Sequence, residues 1–123
     1  MSVEKEVTIM SSILTDIKKM FGIIEEDTSF DTDLIININS AFSVLNQLGV
    51  GPDGGYKISD KNDNWEDFIP DGDDRLEMVK TYIYLKVKLM FDTATMTTPL
   101  IEVIKHQIAE FEWRLNVAVD PEA

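Results

Sequence analysis

The run Asp73-Asp74-Arg75-Leu76-Glu77-Met78-Val79-Lys80-Thr81-Tyr82-Ile83-Tyr84-Leu85-Lys86-Val87-Lys88-Leu89-Met90-Phe91 decides the fold class. Stepped at about 100° per residue, its apolar members from Leu76 to Met90 cover more than half of a helical circumference. Glu77, Thr81, Tyr84 and Lys88 fill the remainder. A stripe that wide needs several neighbours, so this segment is expected to be the central helix, starting near Asp73 or Asp74 and ending at Phe91.

The neighbours are legible on either side. Upstream, Val7, Met10, Leu14, Ile17 and Phe21 recur at spacings of three and four, with Lys18 and Lys19 in the last turns and Gly22 as a stop. A second helix follows an acidic connector. It carries Leu34, Ile38, Ala41, Leu45 and Leu48, with Ile35 and Phe42 widening the stripe, Asp31 as its expected N-cap and Gly49 as its end. Downstream, Thr98-Pro99 reads as an N-cap followed by proline at the first helical position. The last helix presents Leu100, Ile104, Ile108, Phe111 and Leu115 on one narrow face, and a loose tail is expected over 118–123. The expected fold is all-α: a small four-helix bundle with one long acidic loop between the second and third helices.

That loop, Val50 to Asp74, is rich in glycine and acid. Asp53-Gly54 followed by Tyr56-Lys57-Ile58 suggests a small hairpin. Trp65, Phe68 and Ile69 suggest a single helical turn capped by Asp63 or Asn64, anchoring the far end of the loop. The stretch from Val50 to Asp71 is expected to be an interaction element rather than core.

With 123 residues, 44% of them apolar, the chain has material for one domain, residues 1–123, and for a core without staples. It has no cysteine, which excludes disulfides, thiolate metal sites and cysteine nucleophiles. A single histidine, His106, excludes a multi-histidine metal site. No apolar run approaches the ~20 residues of a membrane span, and Met-Ser-Val-Glu-Lys-Glu does not read as a signal peptide.

The net charge of −12 argues against gripping nucleic acid by its phosphates. The excess is concentrated. Five acids and no base lie between Glu25 and Asp33, and nine acids against three bases between Asp53 and Glu77. Solvated loops and helix N-termini account for such charge without a function. Asp60, Asn62, Asn64 and Asp71 match part of a calcium-loop template, but Trp65 stands where the sharp turn needs glycine, so neither calcium nor another cofactor is expected. No phosphate-cradling glycine loop and no nucleophile motif accompanies His106, so no enzyme is expected.

Val79-Lys80-Thr81-Tyr82-Ile83-Tyr84-Leu85-Lys86-Val87-Lys88-Leu89-Met90-Phe91-Asp92, then Glu110-Phe111-Glu112-Trp113-Arg114-Leu115, resembles the head–tail connector proteins of long-tailed double-stranded DNA bacteriophages, also called adaptor or head-completion proteins. The upstream order agrees: a helix ending in Leu-Gly-Val-Gly, a loop, and Trp65-x-x-Phe68 before the long helix. After Phe91-Asp92 the family often has prolines, and here Thr93-Ala94 stand instead. The resemblance implies a structural virion protein at the neck, assembled in the host bacterial cytoplasm. It implies a homo-oligomeric ring, typically dodecameric, under the portal protein, which extends the DNA channel and docks the next head-completion or tail protein. DNA would pass through without specific binding, and no membrane is involved. A different class, an acidic DNA-mimicking inhibitor or another helical interaction module, is also compatible with the charge.

Candidate interaction residues follow. Asp60, Asp63, Glu66 and Asp67 are expected to face a channel, where carboxylates repel phosphates and keep the passage non-adhesive. Trp65 anchors the segment that bears them. Lys86 interrupts the apolar arc of the third helix, and Glu110 a second stripe of Val103, Trp113 and Val117 on the fourth, beside Arg114. A Lys86–Glu110 ion pair is expected, because a lone charge on an apolar face is costly.

Overall fold

The structure, a computed structural model, describes residues 12–70 and 72–119, the last two by backbone alone. Among these there are five α-helices and no strand: α1 (Ile13–Met20), α2 (Asp31–Gln47), α3 (Trp65–Phe68), α4 (Arg75–Phe91) and α5 (Thr98–Val119). A single 3-10 turn, Thr93–Thr95, links the last two. The chain is all-α. Val7, Met10, Asp71 and the end of the expected tail, 120–123, lie outside the described residues, while α5 continues through Val119.

Helix α4 lies between α2 and α5, as its broad stripe requires, and α1 packs on α2. Val79, Tyr82, Ile83, Leu85 and Val87 of α4 are buried. They meet Leu34, Ile38, Ala41, Phe42 and Leu45 from α2, with Ile104, Ile108 and Leu115 from α5 in the same core. Met90, at the end of the predicted arc, is instead exposed.

The helix ends differ from expectation in instructive ways. Ser12 caps α1, its hydroxyl accepting from the Thr15 amide at 3.2 Å. Asp31 does not cap α2. Its carboxylate lies 2.9 Å from the Lys18 ammonium, and Phe30 occupies the cap position without a side-chain bond. Thr97 rather than Thr98 caps α5, accepting from the Leu100 amide at 3.3 Å. Asp73 opens α4, its Oδ1 accepting from the Arg75 amide at 2.8 Å while the Arg75 guanidinium folds back on the same carboxylate.

The segment between α2 and α3 is the main correction. No hairpin forms: a turn at Pro52–Gly55 is present, with the Gly55 amide donating to the Pro52 carbonyl, but Tyr56 to Ile58 run without a partner strand. Nor is the segment outside the core. Val50, Ile58, Trp65, Phe68 and Ile69 are all buried, and Tyr56 stacks with Phe42 and Phe68. The turn at Trp65–Phe68 and its anchoring role are as the spacing suggested, whereas Val50, Tyr56 and Ile58 lie at irregular spacing that carries no periodic signal.

Candidate functional site

The acidic segment is pinned to α1 around residues 63–65. Trp65 is buried in the single turn α3, where its indole Nε1 donates to Asp16 Oδ2 of α1 at 2.8 Å and the Lys80 ammonium lies 5.4 Å from the ring centre. The start of α1 is stitched to the same place. The Ile13 amide donates to the Asp63 carbonyl at 3.1 Å, beside an isolated antiparallel bridge between Ser12 and Asn64. Trp65 therefore serves as an anchor, the role the sequence suggested, and offers no indole surface to a partner.

The four candidate channel acids are not equivalent. Asp63 Oδ2 accepts from the amides of Ser59 and Asp60, at 2.6 and 3.2 Å. Asp67 Oδ2 accepts from the Asn64 amide at 3.0 Å, closing the first turn of α3. Both carboxylates are thus committed to folding the loop. Asp60 is exposed and takes one amide bond from Asn62, while Glu66 is half-buried on α3. The negative charge has a local cost: burial, with Asp63 and Asp67 nearby, pushes the Tyr56 phenol up to about 12. Its hydroxyl is buried without a hydrogen-bond partner among the described residues.

The second candidate surface is the outer face of α5. Trp113 is 68% exposed and Val103 53%, with Val117 on the same side. Glu110 does not meet Lys86. It pairs with Arg114 one turn along, at 2.7 Å, both side chains being exposed, while Lys86 stays half-buried on α4. The i,i+4 spacing of Glu110 and Arg114 gave a nearer partner than the opposite helix. The polar tie that does join α4 to α5 is Tyr82, whose hydroxyl donates to Glu112 Oε2 at 2.8 Å. Burial and that carboxylate hold the Tyr82 phenol protonated far above its ordinary range. Tyr82 was legible only as an apolar stripe member.

Among the described residues no group of three or more histidines or acids is arranged to hold a metal. His106 is exposed on α5. No described helix is long and apolar enough to cross a membrane. Sequence reasoning also passed over Ile36, an isoleucine off the buried stripe of α2. An apolar residue opposite such a stripe is itself the signal for an exposed patch.

No curated protein and no solved structure matches the chain. A family model described as phage connector protein matches residues 13–122, from the first described turn of α1 past the end of α5. The match takes in every described helix and the buried loop between α2 and α3, and by it the chain belongs to the phage connector protein family.

Proposed function

We propose that the protein is a structural component of the phage neck, a head–tail connector whose subunits form a dodecameric ring under the portal. The ring extends the DNA channel and docks the next head-completion or tail protein; the role is mechanical and requires no catalysis. The family match across residues 13–122 is the observation that carries this reading. The exposed acids of the α2–α4 segment support it, since a channel that lets duplex DNA slide must not bind phosphates. In this reading exposed Asp60 faces the channel, with the half-buried Glu66 beside it on α3, Asp63 and Asp67 hold the loop that presents them, and the outer face of α5 around Trp113 and Arg114 meets a neighbouring protein. Lys86 and Glu110 would then act at subunit contacts rather than with each other.

Negative-stain images of concentrated protein, alone and mixed with its portal, test the reading. Annular particles on the portal vertex are expected. Because a template can organise subunits that are monomeric alone, the mixture decides, and a portal that stays bare at saturating protein refutes the assignment. In assembled particles, Asp60→Lys with Glu66→Lys should slow DNA ejection while sparing assembly. Ejection at the normal rate would leave the acidic-channel component without support. Assembly itself should ease with salt, since repeated acid is screened over ~8 Å at physiological ionic strength.

A further inference from the structure

The end of the molecule where α2 begins and α4 finishes carries an open groove of about 610 Å³. Phe91 lines it, met edge-on by Phe30 at 5.5 Å and by Phe21 at 5.6 Å between ring centres. Interlocked aromatic edges of this kind make a preformed surface. Phe30, Ile36 and Met90, exposed by 41%, 60% and 43%, form the apolar walls. Burial of large apolar side chains drives association, so three beside one another constitute a binding surface rather than scattered apolar exposure.

The polar members of the groove are Asp33, Asn37 and Asp92, with no base among the lining residues. Asp92 is held only loosely by Lys88, 3.8 Å away, and Asp33 has no ion-pair partner among the described residues. The five-acid run from Glu25 to Asp33 adjoins it; Lys18 is buried against Asp31, and Lys19 and Lys61 lie beside Glu25 in separate clefts, so no lysine lines the groove itself. The groove's lining is thus about half apolar and half polar, and both of its charged residues are acids. The outer face of α5 is a poor complement, because its bases already pair with its own acids, Lys105 with Glu102 and Arg114 with Glu110.

We propose that this groove docks a partner segment that presents a large apolar side chain between lysines or arginines. The apolar side chain enters between Ile36 and Met90 and packs on Phe91, while the flanking cations meet Asp33 and Asp92. Burial supplies affinity, and the charges set orientation and reject acidic segments. The inference rests on the groove's own chemistry and stands whether or not the subunits form a ring.

The test titrates isotope-labelled full-length chain with a blocked synthetic peptide, Lys-Lys-Leu-Phe-Lys-Lys, and follows backbone amide shifts. Two controls accompany it: Lys-Lys-Ala-Ala-Lys-Lys, which keeps only the charge, and Glu-Glu-Leu-Phe-Glu-Glu. Saturable shifts centred on Phe30, Ile36 and Met90 are expected with the first peptide alone. Ile36→Ser should weaken binding about tenfold. Asp33→Asn should weaken it and flatten its dependence on salt between about 0.05 and 0.5 M. Both side chains are exposed, so the variants should keep the wild-type circular dichroism. Three outcomes overturn the proposal. Equal binding of the alanine peptide would mean general attraction to an acidic chain. Shifts centred on α5 would place the site elsewhere. Concentration-dependent self-association abolished by Ile36→Ser would make a second copy the occupant.

Discussion

Asn39 holds both backbone groups of Ile58: its Nδ2 donates to the Ile58 carbonyl at 3.0 Å and its Oδ1 accepts from the Ile58 amide at 2.7 Å. A carboxamide carries a donor and an acceptor in one plane, so it can stand in for the edge of a neighbouring strand. Ile58 is buried, and the extended stretch around it has no strand partner, so this side chain satisfies what a sheet otherwise would.

Replacing Asn39 with alanine should therefore cost about 2–3 kcal/mol, from two lost bonds and two stranded backbone groups. Urea unfolding measures the loss, and amide exchange at Ile58 should accelerate well before the helices open. Unchanged exchange at Ile58 would show that Asn39 is not what orders the segment.

Gly51 and Gly54 lie three residues apart, both with positive φ, at +98° and +88°. A Cβ on Gly54 would point into open space, whereas one on Gly51 would overlap the Phe68 ring. Gly54→Ala should cost about 1 kcal/mol, the ordinary penalty for a left-handed alanine. Gly51→Ala should cost at least ~2 kcal/mol more, because the Phe68 ring is buried and packs against both Phe42 and Tyr56. Equal thermal shifts for the two variants would mean the loop is soft at Gly51. By the same packing, deleting Pro52 to Tyr56 should damage the core, since it removes Tyr56 from that cluster.

These two cases mark where the sequence was readable. The stripes of α2, α4 and α5 announced themselves because helical period repeats over several turns, and Ile38, Ile83 and Ile104 are buried where the pattern put them. Val50 and Ile58 repeat nothing. Their burial depends on single tertiary contacts such as Asn39 with Ile58 and Phe68 with Gly51. The polar partners were hidden for a related reason. Lys18 could be assigned to its own helix end and Glu110 to a neighbouring helix, but partner choice depends on distances that only the fold sets. Family membership lay in residue order along the whole chain, which is why it was legible while individual site residues were not.

Ionisation should destabilise the protein from both ends of the pH scale, with the window set by named groups. Burial first, then Asp63 and Asp67, raises the Tyr56 phenol from its ordinary value of 10.0 to about 12. The folded state thus favours the neutral form, and that stability is complete below pH 10 and lost as pH rises through about 12. Tyr82 moves in the same direction. Asp73 is the opposite case: hydrogen bonds from Arg75 lower its carboxyl below 3.8. Its contribution is present above the unfolded value and disappears as pH falls through the lower folded one. Phenolate absorbance should therefore lag behind that of free tyrosine until the chain unfolds, and Tyr56→Phe should remove part of the alkaline loss. A Tyr56→Phe variant with the same alkaline midpoint would remove Tyr56 from the account.

The connector between α1 and α2 is closed by Lys18, which is only 2% exposed. Its ammonium lies 2.9 Å from Asp31 Oδ1 and donates to the Glu25 carbonyl at 2.9 Å, joining the end of α1, the acidic connector and the first residue of α2. The two partners differ in their access to water, and that difference fixes the direction of the mutational effects. Lys18→Met keeps the buried stem and leaves a carboxylate whose Oδ1 is buried but whose side chain is one-quarter exposed and can rehydrate there, so it should cost about 2 kcal/mol. Asp31→Asn leaves an almost fully buried ammonium with a weaker acceptor, so it should cost about 3 kcal/mol or more. The double variant should fall short of the sum by at least about 1 kcal/mol, because the second change removes a charge the first had stranded. Urea unfolding of the four proteins at neutral pH gives the cycle. Strict additivity, or a larger loss from Lys18→Met than from Asp31→Asn, would show that the pair does not close the connector.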